Sequence, residues 1–308
     1  MTKAHAIDQS PEAAAKPAAR PDAAAVETPS GKGAGDENFP VGSLLIARKH
    51  RPDVAAFYAF ARAIDDIADN PELAPEEKVA RLDRMDKALL GEDDDPALAT
   101  AHKCRDSLER CGITVQHCRD LITAFKGDAT KLRYDDWDDL IKGYCRYSAS
   151  PVGRYLLDLH GEDKAGYVNS DALCDALQVL NHLQDCQDDY RELNRVYLPG
   201  DWMAAAGTTI EDLDGAAASP GLRKVFDQCL DGIDELLETA RALPGRLRSR
   251  RLAMESAAIV RIAEDLAAAL RRRDPVAERV ELSKPRFLWC LLRGIIDVWF
   301  GRARRNAA

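Results

Sequence analysis

The chain has 308 residues, of which 46% are hydrophobic and 31% charged, so it can form a sizeable core and is not disordered throughout. Its net charge of −9 argues against a nucleic-acid partner, and no apolar run approaches the roughly 20 residues of a transmembrane helix. Eight cysteines without a CxxC motif argue against a disulfide framework or a zinc site and favour a cytoplasmic protein.

The chain has two parts that differ in amino-acid composition. Residues 1–35 are rich in Ala, Pro, Gly and Ser, lack the apolar core of a signal peptide, and are predicted to form a disordered tail. From 36 to 308, apolar residues recur at helical spacing and strand signals are scarce, which predicts a single all-α domain. Its predicted helices, in chain order, are Pro52–Asp69, Pro75–Leu90, Ala97–Cys111, Val115–Lys126, Trp137–Leu159, Ala172–Asn194, Leu222–Leu243, Ser249–Arg272 and Lys284–Arg302.

The first predicted helix carries a row of polar side chains beside its apolar stripe. Tyr58, Arg62, Asp65 and Asp69 recur at i, i+4, i+7 and i+11, so they stack along one line of the helix. With Asp66 they form a DDxxD pattern, which by itself is equally typical of a solvated helix end. We call these four residues the first row.

A second row of the same kind lies on the predicted helix over 172–194. Gln178, Asn181, Asp185 and Asp189 recur at i, i+3, i+7 and i+11, again beside leucines that would face the core. Two such rows, each adjoining a buried face, favour a functional interpretation over a solvated surface.

The last predicted helix is apolar around nearly its whole circumference and is flanked by arginines. It is too short to span a bilayer. Two interpretations remain open: it closes the core, or residues 285–305 make peripheral contact with the inner face of a membrane, where Trp and Arg meet lipid headgroups.

Carboxylates crowded along two rows repel one another unless a cation lies between them. Mg²⁺ takes oxygen ligands and is commonly held by a few carboxylates together with substrate phosphates. The rows therefore predict a magnesium site with Asp65, Asp66, Asp69, Asn181, Asp185 and Asp189 as ligands. Arg62, Arg191 and Arg195 are predicted to contact the phosphates directly.

With these residues placed, the chain from Asn38 to Lys284 resembles the squalene/phytoene synthase family. The resemblance rests on several motifs together, each of which alone would be unspecific. They are Phe39, Tyr58-x-x-x-Arg62-x-x-Asp65-Asp66-x-x-Asp69, Tyr144-Cys145 with Val152-Gly153, Gln178-x-x-Asn181-x-x-x-Asp185-x-x-x-Asp189, and Arg195-Val-Tyr197-Leu-Pro199.

The resemblance implies an isoprenoid synthase, a single large helical domain over 36–308 around a central substrate cavity, that requires Mg²⁺ and acts on a prenyl diphosphate. Three segments are most similar to the bacterial hopanoid branch of the family: 37–41, 147–153 and 271–284. That branch converts presqualene diphosphate and water to hydroxysqualene and diphosphate. Membership would also bring the chain into contact with other enzymes of hopanoid biosynthesis.

The resemblance further implies which residues bind the substrate. Tyr58, Arg62, Asp65, Asp69, Asn181, Asp185 and Asp189 would carry catalysis. Glu37 and Asn38 are hypothesised to place the water that ends the reaction. The residues expected to contact the substrate are Glu37, Asn38, Phe39, Tyr144, Val152, Gln178, Arg191 and Arg195.

Two alternatives remain open on the sequence. The chain could be a condensing synthase that makes presqualene diphosphate, squalene or phytoene from prenyl diphosphates such as farnesyl diphosphate. It departs from condensing relatives, which often carry a Tyr in the penultimate long helix where this chain has an aliphatic residue near Ile262 or Ala263. A helical, non-catalytic assembly factor is the second alternative, against which the retention of both rows argues.

Overall fold

The computed structural model describes residues 46–301, so the predicted tail 1–35 and Glu37, Asn38 and Phe39 lie outside the described residues. Within that range the chain is mostly helical. Its elements are α1 (Arg51–Asp69), α2 (Pro75–Leu90), α3 (Ala99–Cys111), α4 (Gln116–Thr130), β1 (Arg133–Tyr134), a π-helix (Asp139–Cys145), α5 (Arg146–Ser148), α6 (Ser150–Leu159), α7 (Tyr167–Gln184), α8 (Cys186–Leu193), β2 (Val196–Pro199), α9 (Gly200–Ala206), α10 (Pro220–Ala240), α11 (Leu243–Arg246), α12 (Arg250–Leu270) and α13 (Lys284–Trp299).

The predicted all-α class is confirmed, but two long predicted helices are interrupted. The helix predicted over 137–159 is a π-helix followed by α5 and α6, because Pro151 has no N–H to continue a helix and instead lies in the first turn of α6. The helix predicted over 172–194 opens at Asp185, whose φ of −103° and ψ of 8° separate α7 from α8. Backbone hydrogen bonds from Asp185 N to Asn181 O and from Asp189 N to Asp185 O keep the two segments in line.

Two hydrophobic clusters form the core. One gathers the inner faces of α1–α4 and α6, with Phe60, Ile64 and Met85 fully buried. The other gathers α7, α10 and α12, with Phe226 and Ile233 at its centre. A cavity is lined by members of both clusters, so it lies where the two halves of the core meet.

A short parallel pairing of β1 with β2 was not predicted from the sequence, because two to four residues are too few to show a strand pattern. The pairing aligns Arg133 with Val196 and stacks the rings of Tyr134 and Tyr197 at 5.5 Å between centroids. It therefore fixes the residues on either side of β2, including Arg195, against the end of α4. No helix in residues 46–301 is both long and apolar enough to cross a bilayer.

Candidate active site

A cavity of about 430 Å³ runs between α1, α6, α7 and α12. We name the two ends of the cavity after their lining. The polar end is lined by the acids of the two rows. The apolar end is lined by side chains such as Val54, Tyr155, Leu173, Leu252 and Ile259. The predicted site residues that line this cavity are Tyr58, Arg62, Asp65, Asp69, Tyr144, Val152, Gln178, Asn181, Asp185, Asp189 and Arg195.

The first row lies on α1, and its own arginine partly balances the charges of its acids. Arg62 Nη1 lies 2.8 Å from Asp65 Oδ2, and Arg62 Nη2 lies 3.1 Å from Asp66 Oδ1. Burial raises the pKa of Asp65 well above its usual value, and the negative charge of Asp69 raises it further, whereas Arg62 lowers it. A carboxylate in this position is stabilised by any additional positive charge that enters the cavity.

Arg195 holds the end of the first row in place. Its side chain is buried and donates to Asp69 Oδ1 at 2.5 Å, to the carbonyl of Ala68 at 2.9 Å and to the carbonyl of Asp128 at 3.1 Å. The guanidinium thus connects the carboxyl end of α1 to α4 and satisfies backbone carbonyls that would otherwise lack partners there.

Asp128 and Tyr197 belong to the polar end, although neither was predicted from the sequence to be a site residue. Asp128 accepts hydrogen bonds from Tyr144 Oη at 2.9 Å and from Tyr197 Oη at 2.8 Å. Burial raises the pKa of Asp128 to about 6, against the opposing effects of Arg195 and the two tyrosines. The cluster orients both tyrosine rings along the cavity wall. Only the resemblance, through its Arg195–Pro199 segment, gave a signal for Tyr197.

The second row straddles the opening between α7 and α8. Asp185 Oδ1 lies 2.7 Å from Arg279 Nη1, and burial raises the pKa of Asp185 above its usual value. The ring of His182, between the row and the tyrosines, stacks on Tyr197 at 3.6 Å between centroids. His182 Nε2 also lies 3.2 Å from Gln178 Nε2, so the polar residues of the row form a connected set.

Two predicted residues lie away from the cavity. Asp66 is buried but is one residue, or 100°, round the helix from Asp65, so it faces Arg62 and not the cavity lumen. Arg191 turns to the outer side of α8, where its Nε lies 3.1 Å from Asp214 Oδ1. The structure therefore does not bring Asp66 or Arg191 to the position that the sequence analysis expected.

Comparison with known proteins assigns the chain to a family. The squalene/phytoene synthase family model matches residues 33–286. The chain belongs to this family. It is 46% identical to a hydroxysqualene synthase of Rhodopseudomonas palustris over 86% of this chain and 89% of that protein. A hydroxysqualene synthase of Zymomonas mobilis is 44% identical over 83% of this chain and 86% of that protein.

Solved structures agree with the family assignment. Squalene synthase HpnC from Alicyclobacillus acidocaldarius has a TM-score of 0.66 and 34% identity, covering 78% of this chain and 90% of that chain. A dehydrosqualene synthase in complex with a ligand has a TM-score of 0.72 at 20% identity, covering 86% and 93% of the two chains, and supports the fold alone. The chain is therefore an isoprenoid synthase with the helical fold of the squalene/phytoene synthase family.

The donors at the polar end of this family member fit a hard divalent cation. Carboxylate and amide oxygens line one cavity from α1, from α7 and from α8, with the imidazole of His182 beside them; they belong to Asp65, Asp69, Asn181, Asp185 and Asp189. Within residues 46–301, no three His, Cys, Asp or Glu side chains are grouped closely enough to hold a metal alone. Mg²⁺ suits such a site, because it is usually bound by one or two carboxylates plus substrate phosphates.

The apolar end can enclose hydrocarbon chains. Phe57 and Tyr155 stack at 3.9 Å between ring centroids and form its α1–α6 wall. Glu255 and Ser256 are polar residues of α12 that also line the cavity and that were not predicted from the sequence. Their signal in the sequence is weak, because each occupies an ordinary position in a helix whose buried face is otherwise apolar.

Proposed function

We propose that this isoprenoid synthase is a hydroxysqualene synthase, which converts presqualene diphosphate and water to hydroxysqualene and diphosphate with Mg²⁺. The observation that carries the proposal is the cavity itself, with acid rows at one end and an aromatic and aliphatic wall at the other. A diphosphate with long hydrocarbon chains is likewise charged at one end and apolar at the other. The relatives that are 44–46% identical to the chain have this activity by name.

The polar end would bind the diphosphate. Asp65, Asp69, Asn181, Asp185 and Asp189 would hold Mg²⁺, which when bound would neutralise the negative charge that develops on the departing diphosphate. Arg195 keeps Asp69 in place through its direct contact, so that the row is oriented before the substrate arrives.

The remainder of the cavity would protect the carbocation that forms when the carbon–oxygen bond breaks and its electron pair leaves with the diphosphate. Tyr144 and Tyr197, held by Asp128, line the cavity where the polar end meets this region, and aromatic rings there would stabilise a cation without reacting with it. The apolar wall excludes bulk water, so the cation can rearrange before it is quenched.

The final step distinguishes the products of the family. In the proposed reaction a water oxygen forms a bond to the cation and loses a proton, whereas squalene formation requires a hydride from a reduced nicotinamide. Glu37 and Asn38 remain our hypothesis for placing this water; both lie outside the described residues. Replacing each by Ala should lower the hydroxylated fraction of the product, and an unchanged fraction and turnover would exclude the role.

The decisive experiment incubates the purified protein with Mg²⁺ and presqualene diphosphate in water labelled with oxygen-18. Mass spectrometry should detect hydroxysqualene with one labelled oxygen, and chelation of Mg²⁺ should abolish its formation. A parallel incubation with farnesyl diphosphate distinguishes this activity from that of a condensing synthase, because a condensing synthase would release diphosphate from farnesyl diphosphate. If neither substrate releases diphosphate, the result would favour the non-catalytic assembly factor.

A further inference from the structure

The outer face of α13 is an exposed apolar surface on an otherwise polar exterior. Trp299 is 63% exposed, Phe300 68% and Trp289 53%. Elsewhere in residues 46–301, the large hydrophobic residues that are exposed are only Leu90 and Val168. The exposed residues recur at the spacing of one helix side, and we call them the α13 face: Leu288, Trp289, Leu292, Ile296, Trp299 and Phe300.

The packing of α13 fixes this orientation. The buried residues of the helix are Cys290, Gly294 and Asp297, which are small or polar. A Cβ on Gly294 would lie 2.4 Å from the backbone nitrogen of Ala258, so α13 packs directly on the α12 backbone. Asp297 forms an ion pair with Arg261 of α12, whose Nε lies 2.9 Å from Asp297 Oδ2. Rolling the helix to bury its aromatic residues would break both contacts.

The charges around the α13 face are opposite to those of the molecule as a whole. Residues 284–308 contain six Lys or Arg residues and a single acid, in a chain whose net charge is −9. Arg286 and Arg293 are partly exposed beside the face, although they pair with Asp265 and Asp297. The guanidinium of Arg250 lies 5.0 Å from the ring centroid of Trp299. A second copy would bring these like charges together, whereas an anionic surface would complement them.

We propose that the α13 face is a docking surface for anionic lipid bilayers, on which α13 lies in the plane of the interface. Exposed tryptophans bordered by arginines are the chemistry that favours the headgroup region. Because the rest of the chain is acidic, an anionic membrane would repel other orientations and select this one.

The surface lies one helix away from the cavity. α13 packs on α12, and α12 contributes Leu252 and Ile259 to the apolar end. Docking would thus place the hydrocarbon end of the cavity next to the bilayer. This closeness to the bilayer matters only if the proposed function is right, because it would let a water-insoluble product pass into the lipid. The docking itself does not depend on which reaction occurs.

The test is flotation of the full-length protein with vesicles of phosphatidylglycerol and phosphatidylcholine in equal parts, against vesicles of phosphatidylcholine alone. Binding should be about tenfold stronger to the anionic vesicles and should weaken as salt is added. The triple variant Trp289→Ser/Trp299→Ser/Phe300→Ser should lose at least about tenfold in binding. The control variant Leu90→Ser/Val168→Ser, which removes exposed apolar groups elsewhere, should float like the parent.

Thermal unfolding and diphosphate release from a detergent-dispersed prenyl diphosphate should be unchanged in the triple variant, which separates lost docking from lost folding or catalysis. Equal flotation of parent and triple variant would overturn the proposal. So would a parent that fails to float with anionic vesicles, or light scattering that shows a dimer which the triple variant dissociates, because the occupant would then be a second copy of the chain.

Discussion

The two acidic rows line the same cavity but are supported in different ways. The first row lies on the continuous helix α1 and is held from within the protein by Arg62 and the buried Arg195. The second row straddles the opening at Asp185, and its arginine partner, Arg279, has a side chain that is half exposed. We therefore expect the first row to be set before ligands bind, and the second to adjust when the proposed cation and substrate arrive.

Removing a carboxylate from either row is expected to have the largest effect. Asp65→Asn and Asp185→Asn should each lower kcat by about 10²–10³, because each removes negative charge from the proposed cation site. Raising Mg²⁺ should recover part of the activity of Asp185→Asn and little of that of Asp65→Asn, since only the second row can adjust. Diphosphate release measured over a Mg²⁺ titration checks this expectation.

A control for these variants is Asp138→Asn, which removes an acid that is paired with Lys142 outside the cavity. Its activity should match that of the parent. Equal recovery of Asp65→Asn and Asp185→Asn by Mg²⁺ would contradict the distinction between a preset row and an adjustable one.

Arg195→Met should cost about 3 kcal/mol in the free energy of unfolding, because it leaves Asp69 and the carbonyls of Ala68 and Asp128 without their buried cation. Denaturant unfolding measures the change. The matched control is Arg191→Met, which removes the exposed pair with Asp214 and should change the free energy of unfolding by about 0.5 kcal/mol or less. Similar losses in both variants would show that burial of Arg195 is not what supports the first row.

Much of this arrangement could be predicted from the sequence, because both rows are local patterns. The spacing of Asp65 and Asp69 within one helix is sufficient to place them on one side of it. The helical periodicity likewise predicted α2 over Pro75–Leu90, the same bounds that the structure has, where a proline begins the helix and Gly91 ends it with a φ of 76°.

The contacts that distinguish the rows could not be predicted, because they join distant parts of the chain. Arg195 contacts Asp69 across 126 residues, and Tyr197 contacts Asp128 across 69. The opening at Asp185 also leaves no local signal, since no Gly or Pro lies at that position and the flanking helical hydrogen bonds persist. Tertiary packing, and not helix propensity, determines these features.

Asp175 is an acid of α7 that is buried without an arginine contact, unlike Asp65 and Asp185 of the two rows. We expect it to make the stability of the protein depend on pH. It accepts a hydrogen bond from Ser150 Oγ at 3.0 Å, and burial raises its pKa to about 7. The folded protein therefore binds this proton more tightly than the unfolded chain, and the associated stability is lost as the pH rises through about 7. The free energy of unfolding of Asp175→Asn relative to that of the parent should rise by about 3 kcal/mol between about pH 5 and about pH 8.

Denaturant unfolding at the two pH values measures this effect. Asp171→Asn, one turn earlier on α7, is the control: Arg154 Nε donates to Asp171 Oδ1 at 2.7 Å, so loss of that acid should destabilise the protein. A pH-independent difference between Asp175→Asn and the parent would mean that Asp175 does not take up a proton on folding.

The smallest expected effect concerns the half-exposed partner of the second row. In the proposed cation site Arg279 would compete with the cation for Asp185, since its Nη1 lies 2.7 Å from Asp185 Oδ1. Arg279→Ala should therefore lower the Mg²⁺ concentration for half-maximal activity by about two- to fivefold, the range of a single exposed ion pair, with kcat unchanged. Arg273→Ala removes a neighbouring arginine paired with Glu278 and should leave the Mg²⁺ dependence as it is. If Arg279→Ala instead raised the Mg²⁺ requirement or the KM for the diphosphate, Arg279 would be a substrate contact, and the second row would be as fully supported by cations as the first.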